Sequence, residues 1–172
     1  MKITLERFIK KYLVCEIHSI LKEHPFLAMS LMSIGVEFLG KCLNYKSVDE
    51  IKNNGDHKSK ENFNDAIENL NAFKEYKNLI QPDNDSKGIE LYNILRCGFA
   101  HNFMVKDEII LRDSKNDFNT KPITIGVGNF FDDFSEACME VIKLKSELMK
   151  EEFSYEEKGY TGTTKYNQSI IE

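Results

Sequence analysis

Apolar side chains recur every three to four residues along most of the chain, a spacing typical of amphipathic α-helices. The pattern predicts five main helices, over residues 2–23, 25–45, 60–80, about 87–103 and 129–151. The second helix, with Pro25 in its first turn, is apolar on nearly all sides. We therefore expect this helix to be central or to lie in an interface. Gly35 and Gly40 cost this helix stability, which suggests that another backbone comes close there.

The periodicity changes after the fourth helix. Residues 107–112 and 122–127 are short, rich in β-branched side chains and partly alternating, with a polar connector at 113–121. This pattern predicts a β-hairpin with a long loop. Two strands alone are only marginally stable, so the hairpin is expected to pack on the helices.

The length of 172 residues suits a single domain with a hydrophobic core. The helical periodicity predicts a mainly α fold class. Because the connections between helices are short, we expect an up-and-down bundle of about five helices, with a small β-hairpin after the fourth main helix. Residues 1–151 are predicted to form this domain. Residues 152–172 are polar and aperiodic, and predict a loose C-terminal tail or a segment that orders on a partner.

Composition and charge place the chain among soluble globular proteins, with 41% apolar and 30% charged residues. The net charge of −5 argues against broad nonspecific coating of nucleic acid but leaves room for a local basic cleft. Charges every few residues at the N-terminus exclude a signal peptide. No uncharged apolar run reaches the roughly 18 residues that span a bilayer. We expect a cytoplasmic protein that is not in a membrane.

The cysteines stand alone in apolar, helical runs, at Cys15, Cys42, Cys97 and Cys138. They are interpreted as reduced thiols of the core, since no C-x-x-C pair is present to suggest a zinc site. The sequence therefore predicts no metal and no other cofactor.

One stretch, LYNILRCGFAHNF at residues 91–103, contains two side chains of types that can take part in catalysis, Arg96 and His101. Arg96 interrupts the apolar stripe of the fourth helix. An unpaired buried guanidinium is costly, so it needs a carboxylate, a phosphate or a subunit boundary. Glu37 is a lone carboxylate on the apolar second helix, and we predict that it lies near Arg96 and fixes its orientation.

The chemistry of this pair suits RNA cleavage. A histidine that titrates near neutral pH can move the proton of a ribose 2′-hydroxyl or of the leaving oxygen. An arginine can hold the scissile phosphate and the charge that develops on it, and neither role needs a metal. The alternative is structural: Arg96 pairs with a buried acid and His101 caps the helix end. An isolated R-x4-H pattern also arises by chance.

Helix geometry places a condition on this pair. Residues five apart lie about 140° apart around a regular α-helix, so Arg96 and His101 would not share a face. They would converge if the turn is distorted at Gly98, or if a second subunit brings its own pair opposite.

The stretch LYNILRCGFAHNF, on a late helix of a helical domain, resembles the R-x4-6-H signature of the HEPN superfamily. The resemblance implies a helical-bundle fold and a metal-independent endoribonuclease of the toxin–antitoxin or phage-defence type. It also implies a homodimer whose interface brings two copies of the motif together. Carried over, Arg96 and His101 are the catalytic candidates, RNA is the substrate, and the products carry 2′,3′-cyclic phosphate ends.

Other residues near the motif are supporting candidates. Asn93 and Asn102 are polar neighbours, and Lys106 and Arg112 would extend a track for phosphates. The resemblance also suggests an antitoxin or another protein partner. Cys97 departs from the pattern, since active members usually carry a polar residue directly after the arginine. The second hypothesis is therefore a non-catalytic HEPN-like module for dimerisation or for binding a nucleotide or a partner.

Overall fold

The computed structural model describes residues 2–53, 58–80, 90–102, 109–113, 115–119 and 121–154, with only the backbone described for 99–102. Of these residues, 73% are helical. Helix α1 comprises three consecutive stretches, Leu5–Phe8, Ile9–Glu16 and Ile17–Leu21. The other helices are α2 Pro25–Asn44, α3 Val48–Asn53, α4 Ser59–Asn69, α5 Asn71–Leu79, α6 Tyr92–Asn102, α7 Val127–Leu144 and α8 Ser146–Met149. The strands are β1 Lys2–Thr4, β2 Ile109–Arg112, β3 Ile123–Gly126 and β4 Glu152–Ser154. The mainly α fold class is confirmed.

Helix α2 is the central element, as its apolar sequence predicts. It packs most extensively on α4 and also contacts α1, α6 and α7. Its approach to α4 is close enough that a Cβ at Gly40 would overlap the backbone carbonyl of Asn62. The close backbone approach predicted at Gly40 is therefore confirmed. At Gly35 the neighbour is a side chain, the ring of Phe134.

One face of α2 remains exposed. Its exposed large apolar side chains, each 38–48% accessible, are Phe26, Leu27, Leu31 and Ile34. By length and composition alone this helix could cross a membrane, with a mean hydropathy of 1.5. The window that passes this test contains Glu37 and Lys41, so it is not an uncharged run, and the expectation that no uncharged apolar run reaches about 18 residues still holds. Of this window, 56% is buried inside the protein, which is also typical of the core helix of a soluble protein.

Strands β2 and β3 pair in parallel, with Ile109 opposite Ile123 and Arg112 opposite Gly126, so the predicted β-hairpin is wrong. The connector provides the physical reason. Its Asp117 forms an antiparallel bridge to Thr124, with N–H···O distances of 2.8 and 2.7 Å. The connector folds back along β3, which therefore begins beside the start of β2.

Strand β1 pairs antiparallel with β4, which joins the beginning of the chain to residues near its end. The predicted first helix therefore begins later, at Leu5, where Thr4 Oγ1 accepts a hydrogen bond from the Arg7 backbone N–H at 3.2 Å. Three residues of the predicted tail, Glu152–Ser154, belong to this sheet. Residues 155–172 lie outside the described residues.

The third predicted helix divides into α4 and α5, because Leu70 between them has an extended backbone. Helix α5 is a 3-10 helix whose N-terminus is held by Glu140. The Glu140 carboxylate accepts from the backbone N–H and the side-chain amide of Asn71, at 2.9 and 2.8 Å. The last main helix, predicted over 129–151, begins two residues earlier, at Val127.

The cysteines differ in burial. Cys42 and Cys138 are buried, as predicted, whereas Cys15 is exposed and Cys97 is half-buried. Burial raises the pKa of Cys42 to about 12, which makes this thiol unreactive at neutral pH. The interpretation as core thiols therefore holds for two of the four residues.

Candidate functional site

Arg96 and Glu37 form an ion pair between α6 and α2. Arg96 Nε donates to Glu37 Oε2 at 2.7 Å. Glu37 is only 4% exposed, and the Arg96 side chain is 21% exposed. The predicted contact between the two residues is confirmed, and it arises because a lone charge on an apolar helix requires a partner of opposite sign.

Two further residues complete what we call the Glu37 cluster: Glu37, Arg96, Lys41 and Ser59. Glu37 Oε1 accepts from Lys41 Nζ at 3.0 Å and from Ser59 Oγ at 3.0 Å. Both carboxylate oxygens therefore have partners. The cluster contains two cations and one anion, so its formal charge is +1 at a half-buried position between α2, α4 and α6.

The carboxylate of the cluster stays ionised. Burial alone raises the pKa of Glu37, but hydrogen bonds from Lys41, Arg96 and Ser59, with the charge of Arg96, outweigh it and lower the pKa overall. Within the described part of the chain, the Arg96 Nη groups donate to no other residue. The Nε bond fixes the plane of the guanidinium and leaves its Nη face for an acceptor such as a phosphate oxygen.

Helix α6 is a π-helix over its whole length. In a π-helix the hydrogen bonds join residues five apart rather than four, so the turn is wider than in an α-helix. Tyr92 and Cys97 lie five residues apart on this helix, and the Cys97 thiol adds to burial in raising the pKa of Tyr92. Backbone positions 96 and 101 have the same separation. The distortion expected at Gly98 is therefore not local but extends along the whole helix. The side chain of His101 lies outside the described residues, so its distance from Arg96 is not described.

Asn93 and Arg112, the other predicted site residues whose side chains are described, have their contacts outside the Glu37 cluster. Asn93 donates its side-chain amide to Glu90, which also pairs with Lys60 at 3.1 Å. Arg112 is exposed at the end of β2 and lines a separate cleft. The side chain of Asn102 and all of Lys106 lie outside the described residues.

Sequence reasoning missed two members of the cluster, Lys41 and Ser59. Lys41 had a usable signal, because it lies four residues after Glu37 on one helix, and such pairs face each other. Ser59 had none, since it follows a polar stretch of sequence and is brought to Glu37 only by the packing of α4 on α2.

In the part of the chain that the structure describes, no group of three or more His, Cys, Asp or Glu side chains could hold a metal ion. No known protein family matches the chain, and neither a curated protein nor a solved structure matches it. The function must therefore be argued from the geometry of the Glu37 cluster and from the motif.

Proposed function

We propose that this protein is a metal-independent endoribonuclease with a HEPN-like, up-and-down helical fold, acting in the cytoplasm as a homodimer. The observation that carries the proposal is the anchoring of Arg96 by Glu37. The Glu37 cluster fixes the guanidinium of Arg96 at a half-buried position, with the Nη groups of Arg96 unused within the described residues. Such a group is suited to hold a phosphate.

The reaction follows from the two motif residues. His101 takes the proton from the ribose 2′-hydroxyl, and the 2′-oxygen attacks the adjacent phosphorus. The bond from phosphorus to the 5′-oxygen breaks, and that oxygen takes up a proton from an acid such as the histidine of the second subunit. Arg96 stabilises the charge on the phosphoryl oxygens in the transition state. The products are a 2′,3′-cyclic phosphate and a 5′-hydroxyl.

The exposed face of α2 supports a dimer that contains this site. Ile34 lies three residues before Glu37 and seven before Lys41, so the apolar face borders the Glu37 cluster on the same helix. Its exposed apolar side chains would be covered if two copies of α2 packed together. Such an interface would bring two Glu37 clusters, and two copies of the motif, next to one another.

We expect Ile34→Asp to convert the dimer to a monomer, because a carboxylate buried in an apolar interface has no counter-charge. The oligomeric state is measured by size-exclusion chromatography with light scattering. Leu144→Asp is the matched control, since Leu144 is 60% exposed on α7 and should leave the dimer intact. A wild-type chain that is monomeric at micromolar concentrations would contradict the proposed dimer.

The enzyme itself is tested by cleavage of total RNA in EDTA. We expect cleavage by the wild type, products with cyclic phosphate ends, and loss of cleavage in both Arg96→Ala and His101→Ala. Growth arrest on expression should follow the same pattern. An antitoxin or other protein partner remains a prediction, and co-purification from the source cell would test it.

Cys97 favours the second candidate, a non-catalytic HEPN-like module. Its half-buried thiol interacts with the Tyr92 hydroxyl. Active HEPN ribonucleases usually carry a polar residue at this position. Burial and the interaction with Cys97 raise the pKa of Tyr92, so its hydroxyl remains neutral. An inactive wild-type chain that still forms dimers would support the module and overturn the enzyme.

A further inference from the structure

A separate cleft lies between the end of α1, the beginning of α2, the end of β2 and the first turn of α7. Its volume is about 610 Å³, which falls within the range of small-molecule sites. Most of its wall is apolar and includes Leu21, Phe26, Leu111 and Val127. None of the residues of the Glu37 cluster lines it, so the cleft requires an explanation of its own.

The polar side chains of the cleft are mainly cationic. Lys22 and Arg112 face it with one carboxylate, Asp113, which gives a formal charge of +1. Within the described residues, neither Lys22 nor Arg112 forms an ion pair, with Asp113 or with any other acidic residue. An apolar pocket with two such cations favours a ligand that is apolar at one end and anionic at the other.

Gly128, the second residue of α7, supports this reading. A glycine destabilises a helix relative to alanine, and close packing does not require one here. A Cβ at this position would meet no atom within 4 Å, in contrast to Gly35 and Gly40. The missing side chain leaves open space in the cleft. The Gly128 N–H also belongs to the first helical turn, which lacks a side-chain cap.

We propose that this cleft binds a small organic anion with an apolar body. The anionic head, a carboxylate, phosphate or sulfonate, is held by Lys22 and Arg112. The apolar body lies against Leu21 and Val127, and the space at Gly128 admits it. This inference does not depend on RNA cleavage, because it uses none of the residues of the Glu37 cluster.

The experiment is a fluorescence titration of the full chain with 8-anilinonaphthalene-1-sulfonate. The control probe is N-phenyl-1-naphthylamine, which has the same ring body without the sulfonate. We expect saturable binding of the sulfonate at one site per chain. The double variant Lys22→Gln/Arg112→Gln should weaken it about tenfold, as the loss of two partly exposed ion pairs implies. Binding of the uncharged probe should change less than twofold.

Gly128→Leu places a bulky side chain in the cleft and should weaken binding of both probes, while a circular-dichroism melt checks that the variant folds. Gly128→Ala, whose methyl group meets open space, should weaken binding by a smaller factor. It replaces the leucine variant as the test if that variant does not fold. Leu31→Ser on the exposed face of α2 should have no effect. Binding that is lost in Leu31→Ser but kept in both Gly128 variants overturns the site. Equal weakening of both probes by the charge variant overturns the anionic part of the proposal.

Discussion

Arg96→Lys should lower the rate of RNA cleavage by about 100-fold or more, while the free energy of unfolding changes by less than about 1 kcal/mol. Lysine keeps the positive charge and can still pair with Glu37, so the fold is retained. It lacks the planar guanidinium, whose Nε binds Glu37 while the Nη groups remain for phosphate. The measurements are single-turnover cleavage of a labelled RNA and urea unfolding of the same preparation.

Lys41→Gln is the matched control for this experiment. Lys41 also pairs with Glu37, at 3.0 Å, but the proposed mechanism gives it no contact with the scissile phosphate. Its loss removes one partner of a nearly buried carboxylate, so it should lower stability more than Arg96→Lys does, but cleavage should stay within about threefold of the wild type. If Arg96→Lys keeps full cleavage, Arg96 is a structural residue and the phosphate clamp is wrong.

Acid pH gives a second check on the same pair. The pKa of Glu37 is lower in the folded chain than in the unfolded one, so ionised Glu37 stabilises the fold above the unfolded pKa, about 4.3. This contribution is lost as the pH falls through the folded pKa. The stability difference between wild type and Glu37→Gln should therefore be present at pH 7 and shrink at acid pH. A difference that stays constant across this range would show that packing, and not the charge, accounts for the effect.

The contact between Arg96 and Glu37 could be predicted because burying a charge without a partner of opposite sign costs a large free energy. Glu37 is the lone carboxylate of α2 and Arg96 is the lone cation of α6, and an unpaired buried charge is costly. The central position of α2 could be predicted for a similar reason, since a helix that is apolar on nearly all sides must bury most of its surface. Both inferences depend on local sequence and on one strong energetic term.

Other features depended on contacts that local sequence does not specify. Strand β1 pairs with β4, about 150 residues away in the chain, so residues 2–4 fitted a helical pattern equally well. The parallel direction of β2 and β3 depends on the bridge from Asp117 to Thr124. The π-helical hydrogen bonds of α6 also escaped detection, because over eleven residues the apolar pattern does not distinguish the two kinds of helix.

Gly40→Ala should lower the free energy of unfolding by about 3 kcal/mol, the upper part of the range for overpacking a core. An alanine is the better helix former, so its intrinsic preference opposes this loss by only about 1 kcal/mol. The obstacle is the backbone carbonyl of Asn62, which cannot rotate away as a side chain can. The measurement is urea denaturation followed by circular dichroism.

The same substitution at two other helical glycines, Gly35 and Gly128, provides the control series. Gly35→Ala meets the ring of Phe134, a side chain that can shift, so its cost should be about 1 kcal/mol. Gly128→Ala meets open space and should be neutral or stabilising by up to about 1 kcal/mol. If Gly40→Ala proves as stable as the wild type, the close approach of α2 to α4 is wrong. The position of Ser59 beside Glu37 would then lose its explanation, because that hydrogen bond forms across the same helix pair.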